Sequence, residues 1–454
     1  TTPGVSSAWK WRPHQTKVIS RIILTGNTYM AHTVGAGKTS AMIGAGMEMR
    51  RLGLVRKPMY VVPNYMLAQF TKEFYEQYPT ARIAVADERR FHTDRRKQFI
   101  ANVAQDDLDA VIITHSSFGK VGVSAGFSDG LVREQIDEYA EALNDLDKTQ
   151  ENRITRKRIE NAIEKLEQRL SGKGKKQQDS VLTFEQMGVD FLFVDEAHMF
   201  RKLDFATRQN IKGITAEGSK ASWDLYSKIR FLESRAPGRS AVLASGTPIT
   251  NTMGELFTLS RYLQPLALKA RSISHFDSWS ATFGDTSTRL EPNPAGGHSS
   301  VTRFSKFLNV PELYRMVAEV MDIVTGKQLE QYVVRPKLKN GRRENHVVPR
   351  TDAIRQYQAD LAKRIEAINA RRGPPEPGDD IILSVINDGR HSALDMRFVD
   401  PSAPNDPNSK LNVMIRNVHR IWKETKNTEF KDPGSNYQKA VGKGPATQMV
   451  FANL

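Results

Sequence analysis

VGAGKTS at 34–40 and FLFVDEAHMF at 191–200 decide the reading of this chain. The first is a glycine-bearing loop that closes on Lys38, Thr39 and Ser40. Gly35, Ala36 and Gly37 let the backbone approach an anion without a bulky side chain in the way, and N–H groups at a helix start can cradle phosphate oxygens. Lys38 then reaches β- and γ-phosphates, and the Thr39 hydroxyl is a ligand for Mg2+. The strict phosphate-loop pattern has Gly or Ala where this chain has His32. In the second stretch, the apolar run Phe191–Val194 predicts a buried strand with Asp195 and Glu196 at its carboxyl end, where open α/β sheets hold their ligands. Asp195 suits the hydrated metal, and Glu196 suits orienting and deprotonating a water. Taken in this order, the two stretches predict a site for a nucleoside triphosphate with Mg2+, with Lys38, Asp195 and Glu196 as its catalytic set.

Working outward, short apolar runs alternate with helical periodicity as far as residue 265. Strands are expected at Thr28–His32, Met59–Pro63, Arg82–Ala86, Ala110–Thr114, Phe191–Val194 and Ala241–Ala244, with helices such as Thr39–Leu52 and Leu67–Tyr78 between them. This alternation predicts a parallel sheet flanked by helices. Residues 131–170 break it. Apolar positions at Ile136, Tyr139, Leu143 and Leu146, then at Ile159, Ile163, Leu166 and Leu170, suit two amphipathic helices, an inserted hairpin within about 120–183. The basic string SGKGKKQQDS at 171–180 reads as its flexible exit. Past residue 265 the strand signal fades. Loops are expected at 291–300 and 371–380 with helices between them, then a helix in LNVMIRNVHRIWKET at 411–425 and a buried strand in QMVFANL at 448–454. The expected division is 1–265, a mostly helical bridging region at 266–408, and the start of another α/β lobe at 409–454.

Composition narrows the class. The 454 residues carry 39% hydrophobic and 26% charged residues, which are globular values for two or three domains. No run is long and apolar enough for a membrane span. The absence of cysteine excludes disulfides and thiolate metal sites and fits a cytosolic protein. A net charge of +15 favours a polyanionic partner, nucleic acid being the usual one. A metabolic kinase would share the phosphate loop, but it has no need of such charge. The chain starts at Thr1 rather than Met, so a processed piece of something larger is expected.

The motifs, taken in order, resemble a superfamily 2, DEAH-box motor of the Swi/Snf-like branch. More narrowly, they resemble the motor segment of large phage- and plasmid-borne proteins that join a helicase to a DNA methyltransferase. WRPHQ at 11–15 resembles the glutamine motif and implies that Gln15 selects adenine. MYVVPNYMLAQF at 59–70 and AVIITHSSF at 110–118 resemble motifs that touch the DNA backbone, implying contacts from Asn64, Gln69, Thr114, Ser116 and Ser117. FEQMGVDFLFVDEAHMFRKL at 184–203 carries the DEAH box. ASGTPITNTMGELFTLSRYLQP at 244–265 resembles the motif that couples hydrolysis to movement through Ser245 and Thr247, and His198 of the DEAH box is expected to link the hydrolysis site to Gln15 or to Thr247. The resemblance implies a RecA-like lobe, ATP and Mg2+ as cofactors, double-stranded DNA gripped independently of sequence, a fused or associated methyltransferase, and the cytoplasm of a bacterial or phage-infected cell. It also implies a second RecA-like lobe that begins near 448 and supplies arginine fingers. No arginine in this sequence can be assigned that role, so hydrolysis by this chain alone is expected to be slow. A non-motor binding module with a switch-like or vestigial ATP site is the alternative.

Overall fold

A computed structural model describes residues 3–451, apart from 88–90, 92, 147–152, 172–182, 213, 215–217, 251, 293–297, 333–337, 339–340, 372, 374, 377 and 432–439. The chain divides into two compact units, residues 1–289 with 301–335 and residues 290–300 with 336–454.

The first unit opens with α1 (Pro13–Thr25), β1 (Thr28–His32), α2 (Lys38–Arg51), β2 (Pro58–Val62), α3 (Leu67–Gln77), β3 (Ile83–Ala86), α4 (Thr93–Gln105), β4 (Ala110–Thr114) and α5 (His115–Phe118). It continues through α6 (Ala125–Asn144), α7 (Arg153–Leu170), β5 (Phe191–Val194), α8 (Lys220–Arg235), β6 (Ala241–Ala244), α9 (Gly254–Leu263), α10 (Pro265–Ala270) and α11 (Phe276–Phe283). β7 (Gly284–Pro292) and β8 (His298–Phe307) pair with each other, and α12 (Val310–Val320), β9 (Met321–Val324) and α13 (Gly326–Leu329) follow. Among the described residues, seven strands form one sheet in the order β3-β4-β2-β5-β6-β1-β9, with every pairing parallel.

All six expected strands are present, each within a residue or so of its expected bounds. They are legible because a strand covered on both faces must be apolar throughout. Successive side chains go to opposite layers. Met59, Val61, Val111, Ile113, Leu192 and Val194 enter one core, whereas Tyr60, Val62, Ala110, Ile112, Phe191 and Phe193 enter the other. The second core is roofed by α1, α2 and α3 through Val18, Ile22, Met42, Met49, Phe70 and Phe74. The first takes in α6 and α7, the expected helical hairpin, through Leu131, Val132, Tyr139, Ile159 and Leu166. The fold is thus a RecA-like parallel sheet flanked by helices on both faces, as the motifs imply.

Three features differ from expectation. The chain past 265 returns to the sheet, where β9 pairs with β1. Its sequence, MDIV, holds an acid in mid-strand and so lacks the uniform apolar signature. Second, the stretch expected as a loop at 291–300 contributes the end of β7 and the start of β8, with 293–297 outside the described residues. Third, residues 448–451 form no strand, with Met449 and Phe451 largely exposed, and 452–454 lie outside the described residues. A lone strand has no ladder to satisfy its backbone groups, so its apolar residues alone do not extend it into a sheet. The basic string after α7 lies almost wholly outside the described residues as well.

The second unit holds α14 (Asp352–Ala370), α15 (Ile382–Leu394), α16 (Lys410–Thr425) and an antiparallel pair, β10 (Thr428–Lys431) with β11 (Ala440–Gly444). Its small core sets Leu361 and Ile365 of α14 against Val385 of α15. Arg364 fixes the intervening proline-rich turn by bonding Asp380 at 2.6 Å and Asp388 at 2.8 Å.

Candidate functional site

The strand order decides what meets what. β6 lies between β5 and β1, so the segments leaving these three strands emerge side by side at the carboxyl edge of the sheet. They are Asp195–His198 after β5, Ser245–Thr247 after β6, and Thr33–Gly37 after β1.

The loop after β1 is a backbone cradle. Gly35 and Gly37 both have left-handed conformations, with φ of 84° and 74°. A Cβ on Gly35 would meet nothing within 4 Å, so that side of the loop is open. A Cβ on Gly37 would lie 2.4 Å from Gln15 Nε2, so glycine is needed there for space as well as for conformation. Gly37 caps α2, and that helix start presents unpaired N–H groups and positive dipole to the loop. Lys38 Nζ donates to the His32 carbonyl at 3.4 Å, a long bond, and among the described residues no carboxylate forms an ion pair with it. Ser40, by contrast, is turned inward. Its buried Oγ accepts from Trp9 Nε1 at 3.2 Å and Trp11 Nε1 at 3.1 Å, locking the segment before α1 onto α2.

Gln15 also reaches the loop. Nε2 donates to Gly37 O at 3.0 Å, and Oε1 accepts from Arg12 N at 2.8 Å as part of a helix-capping box. One Nε2–H and one carbonyl lone pair are left over. His14 Nε2 lies 2.8 Å from Ala36 O and braces the loop one residue earlier.

Asp195 is 4% exposed, and its Oδ1 accepts from Glu196 N at 2.9 Å. Burial, then the charge of Glu196, pushes its carboxyl up to about 6. Among the described residues no cation pairs with it, and Lys38 acts on it only at longer range. A buried acid at the same sheet edge as an open phosphate cradle fits a divalent cation, which prefers one or two carboxylates plus substrate oxygens to an all-protein cage. Glu196 adopts a left-handed backbone, φ 49°, which costs energy for a residue with a Cβ. His198 Nδ1 lies 3.0 Å from Glu196 Oε2 and 3.1 Å from Ser245 Oγ, so the ring stands between acid and hydroxyl. Ser245 Oγ in turn accepts from Thr247 N at 3.1 Å. The four residues form one hydrogen-bonded line from β5 to β6.

Of the residues expected to touch a polyanion, Asn64 and Ser116 are brought together. Asn64 Nδ2 donates to Ser116 Oγ at 3.0 Å, above the ends of β2 and β4. Gln69 is exposed on α3 and donates to Glu73. Thr114 and Ser117 are buried, and Thr114 Oγ1 caps α5 by accepting from Ser117 N at 3.2 Å. That is a structural placement, and the exposed members of the set are Asn64, Gln69 and Ser116.

Several residues at the site escaped the sequence reading. His115 Nε2 donates to the Asp195 carbonyl at 2.9 Å, and burial lowers the ring's affinity for a proton. Tyr29, buried on β1, hydrogen-bonds Ser245, and burial raises its phenol above the usual range. His32, fully buried, sits 2.7 Å from Asp322 of β9. The departure at His32 was the one visible signal, but Asp322 gave none.

Searching the curated proteins gave no match. Among solved structures, the Sulfolobus solfataricus SWI2/SNF2 ATPase core in complex with dsDNA is similar at 14% identity, with 94% of this chain and 68% of that chain covered and a TM-score of 0.40. A family model described as a probable helicase domain matches residues 22–325, which takes in all seven strands of the sheet, the phosphate loop and the acids after β5, and the chain belongs to that family.

Proposed function

We propose that the chain is an ATP-dependent motor segment that moves on DNA by gripping its backbone. The observation that carries this reading is the hydrogen-bonded line Glu196–His198–Ser245–Thr247, set between the phosphate cradle and the carboxyl ends of neighbouring strands. A site that only stored nucleotide would need the cradle but not a polar link from its acid to the next strand.

In this reading the N–H groups of Gly35–Thr39 bind the phosphates, and Lys38 adds a mobile positive charge at the γ end. Thr39 Oγ1 and Asp195 would hold a magnesium ion, which would neutralise negative charge on the phosphates. Glu196 takes the proton from the attacking water, and the His198 ring beside it holds its carboxylate in place. Because His198 also holds Ser245, a change at Glu196 alters the segment after β6. Gln15 reads adenine with the N–H and lone pair that Gly37 and Arg12 leave over. Asn64, Gln69 and Ser116 lie along the same sheet edge and offer amide and hydroxyl contacts to phosphodiester oxygens. The +15 charge supports a polyanionic track. A fused or associated DNA methyltransferase, and the cytoplasm of a bacterial or phage-infected cell, complete the proposal on the strength of the motif resemblance. In keeping with it, no described helix is long and apolar enough to cross a membrane.

The test is ATP hydrolysis with and without double-stranded DNA. Stimulation by DNA that vanishes in Glu196→Gln supports the motor. Tight nucleotide binding with no turnover in any DNA favours a switch-like binding module.

A further inference from the structure

The phosphate cradle has two flanks, and the sheet order assigns them different ends of a nucleotide. The acids after β5 lie on one side of β1, across β6, while β9 lies on the other. Given the phosphate site proposed above, the γ end faces Asp195 and Glu196. The nucleoside therefore points the opposite way, toward β9 and the start of α1, where His14 and Gln15 touch the loop carbonyls of Ala36 and Gly37.

A carboxamide can read the edge of a base but cannot cover its face. Trp9 and Trp11, the aromatic residues just before the glutamine, are committed elsewhere, since both indoles donate to Ser40 Oγ. The ring that stands at the nucleoside flank comes from a distant part of the chain. Tyr332, half-buried, follows α13 and packs against the group formed by Ala36, Val324 and Leu329. Its backbone N–H donates to Leu329 O at 2.8 Å. Its ring centroid lies 5.7 Å from that of His14, and the Arg12 guanidinium carbon stands 5.8 Å from the same ring. An aromatic plane, a guanidinium plane and an imidazole thus converge beside the phosphate loop.

We infer that Tyr332 is the base-stacking residue of the nucleotide site, with Arg12 and His14 lining the same nucleoside pocket. No pattern near the glutamine motif announces this, because Tyr332 is delivered by β9 and α13.

The test compares magnesium-bound ATP with magnesium-bound tripolyphosphate, which has the phosphates but no base, by calorimetry on the full chain. Tyr332→Ala is expected to weaken ATP binding about tenfold, in line with base–aromatic stacking, and to leave tripolyphosphate affinity unchanged. Tyr332→Phe is expected to bind both ligands as the parent does. Equal losses for both ligands in Tyr332→Ala would show that Tyr332 only supports the loop through Ala36, overturning the assignment. Unchanged ATP affinity in that variant would overturn it too. If the parent chain binds neither ligand, the phosphate site itself fails, and this inference with it.

Discussion

Replacing Asp195 with asparagine should make the nucleotide-free protein more stable while destroying its response to magnesium nucleotide. In the folded chain the Asp195 carboxyl is raised from 3.8 to about 6, by burial first and the Glu196 charge second. Each tenfold change in an acid constant corresponds to about 1.36 kcal/mol, so keeping this buried group ionised costs the native state about 3 kcal/mol. The sign follows from the direction of the shift. Below about pH 4 the group is protonated in both states, and the penalty is absent. It grows as pH rises from about 4 through about 6, and it is complete near pH 7. Asparagine keeps the acceptor for Glu196 N without the charge, so Asp195→Asn should gain roughly 1–3 kcal/mol at pH 8, a rise of about 4 °C or less in Tm for a unit this large. That gain should shrink toward zero by pH 4. Thermal melts from pH 4 to pH 8, each with and without magnesium-bound ATP, provide the check. The parent should rise in Tm with nucleotide, and the variant should respond far less. A variant less stable than the parent at pH 8, or an advantage that does not depend on pH, would refute the electrostatic argument. An undiminished nucleotide response would refute the assignment of Asp195 as a metal ligand.

Lys38→Ala should abolish ATP binding by calorimetry with little change in Tm, because Lys38 makes only one long bond to a carbonyl. Glu196→Gln should retain ATP and magnesium affinity but lose turnover, and parental hydrolysis rates in that variant would remove Glu196 as the base. DNA affinity should be nearly independent of sequence, with its logarithm falling linearly against the logarithm of salt, as titrations on unrelated duplexes would show. Asp322→Ala should lower stability by about 1–3 kcal/mol in denaturant melts, since it leaves the buried His32 ring with no partner on either nitrogen. Asp322→Asn should recover much of that loss. Burial acts against the charge of Asp322, but the His32 bond and nearby cations hold its carboxyl below the usual range, so its contribution should be lost as pH falls below about 4.

The core of the site was legible because its chemistry is local in sequence. A phosphate cradle is a handful of consecutive backbone groups, and an acid after a fully buried strand announces itself by the apolar run before it. Residues brought in by tertiary packing carried no such mark. Asp322 looked like an interruption, yet it satisfies a buried histidine, and Tyr332 lies in a stretch with no periodicity of its own. Hydroxyl residues were ambiguous for a related reason. Thr114, Ser117 and Ser116 all follow a strand end, and only burial distinguishes the helix cap and the inward hydroxyl from the exposed one. The polar strands β7 and β8 were missed because a two-stranded sheet needs no apolar run, while 448–451 misled because β-forming residues cannot make a strand without neighbours.

The pairing of β9 with β1 has a consequence for the order in which this protein is made. The strand leading into the phosphate cradle is among the first segments of its own unit to be synthesised. Its outer neighbour, and the Val324 carbonyl that holds the Thr33 N–H at 3.0 Å, come from the far end of the same unit. Until that late strand arrives, His32 has no acidic partner and one edge of β1 stays unpaired. A nascent chain can therefore form the helices and central strands early, but it cannot finish the nucleotide cradle until nearly the whole unit has been translated.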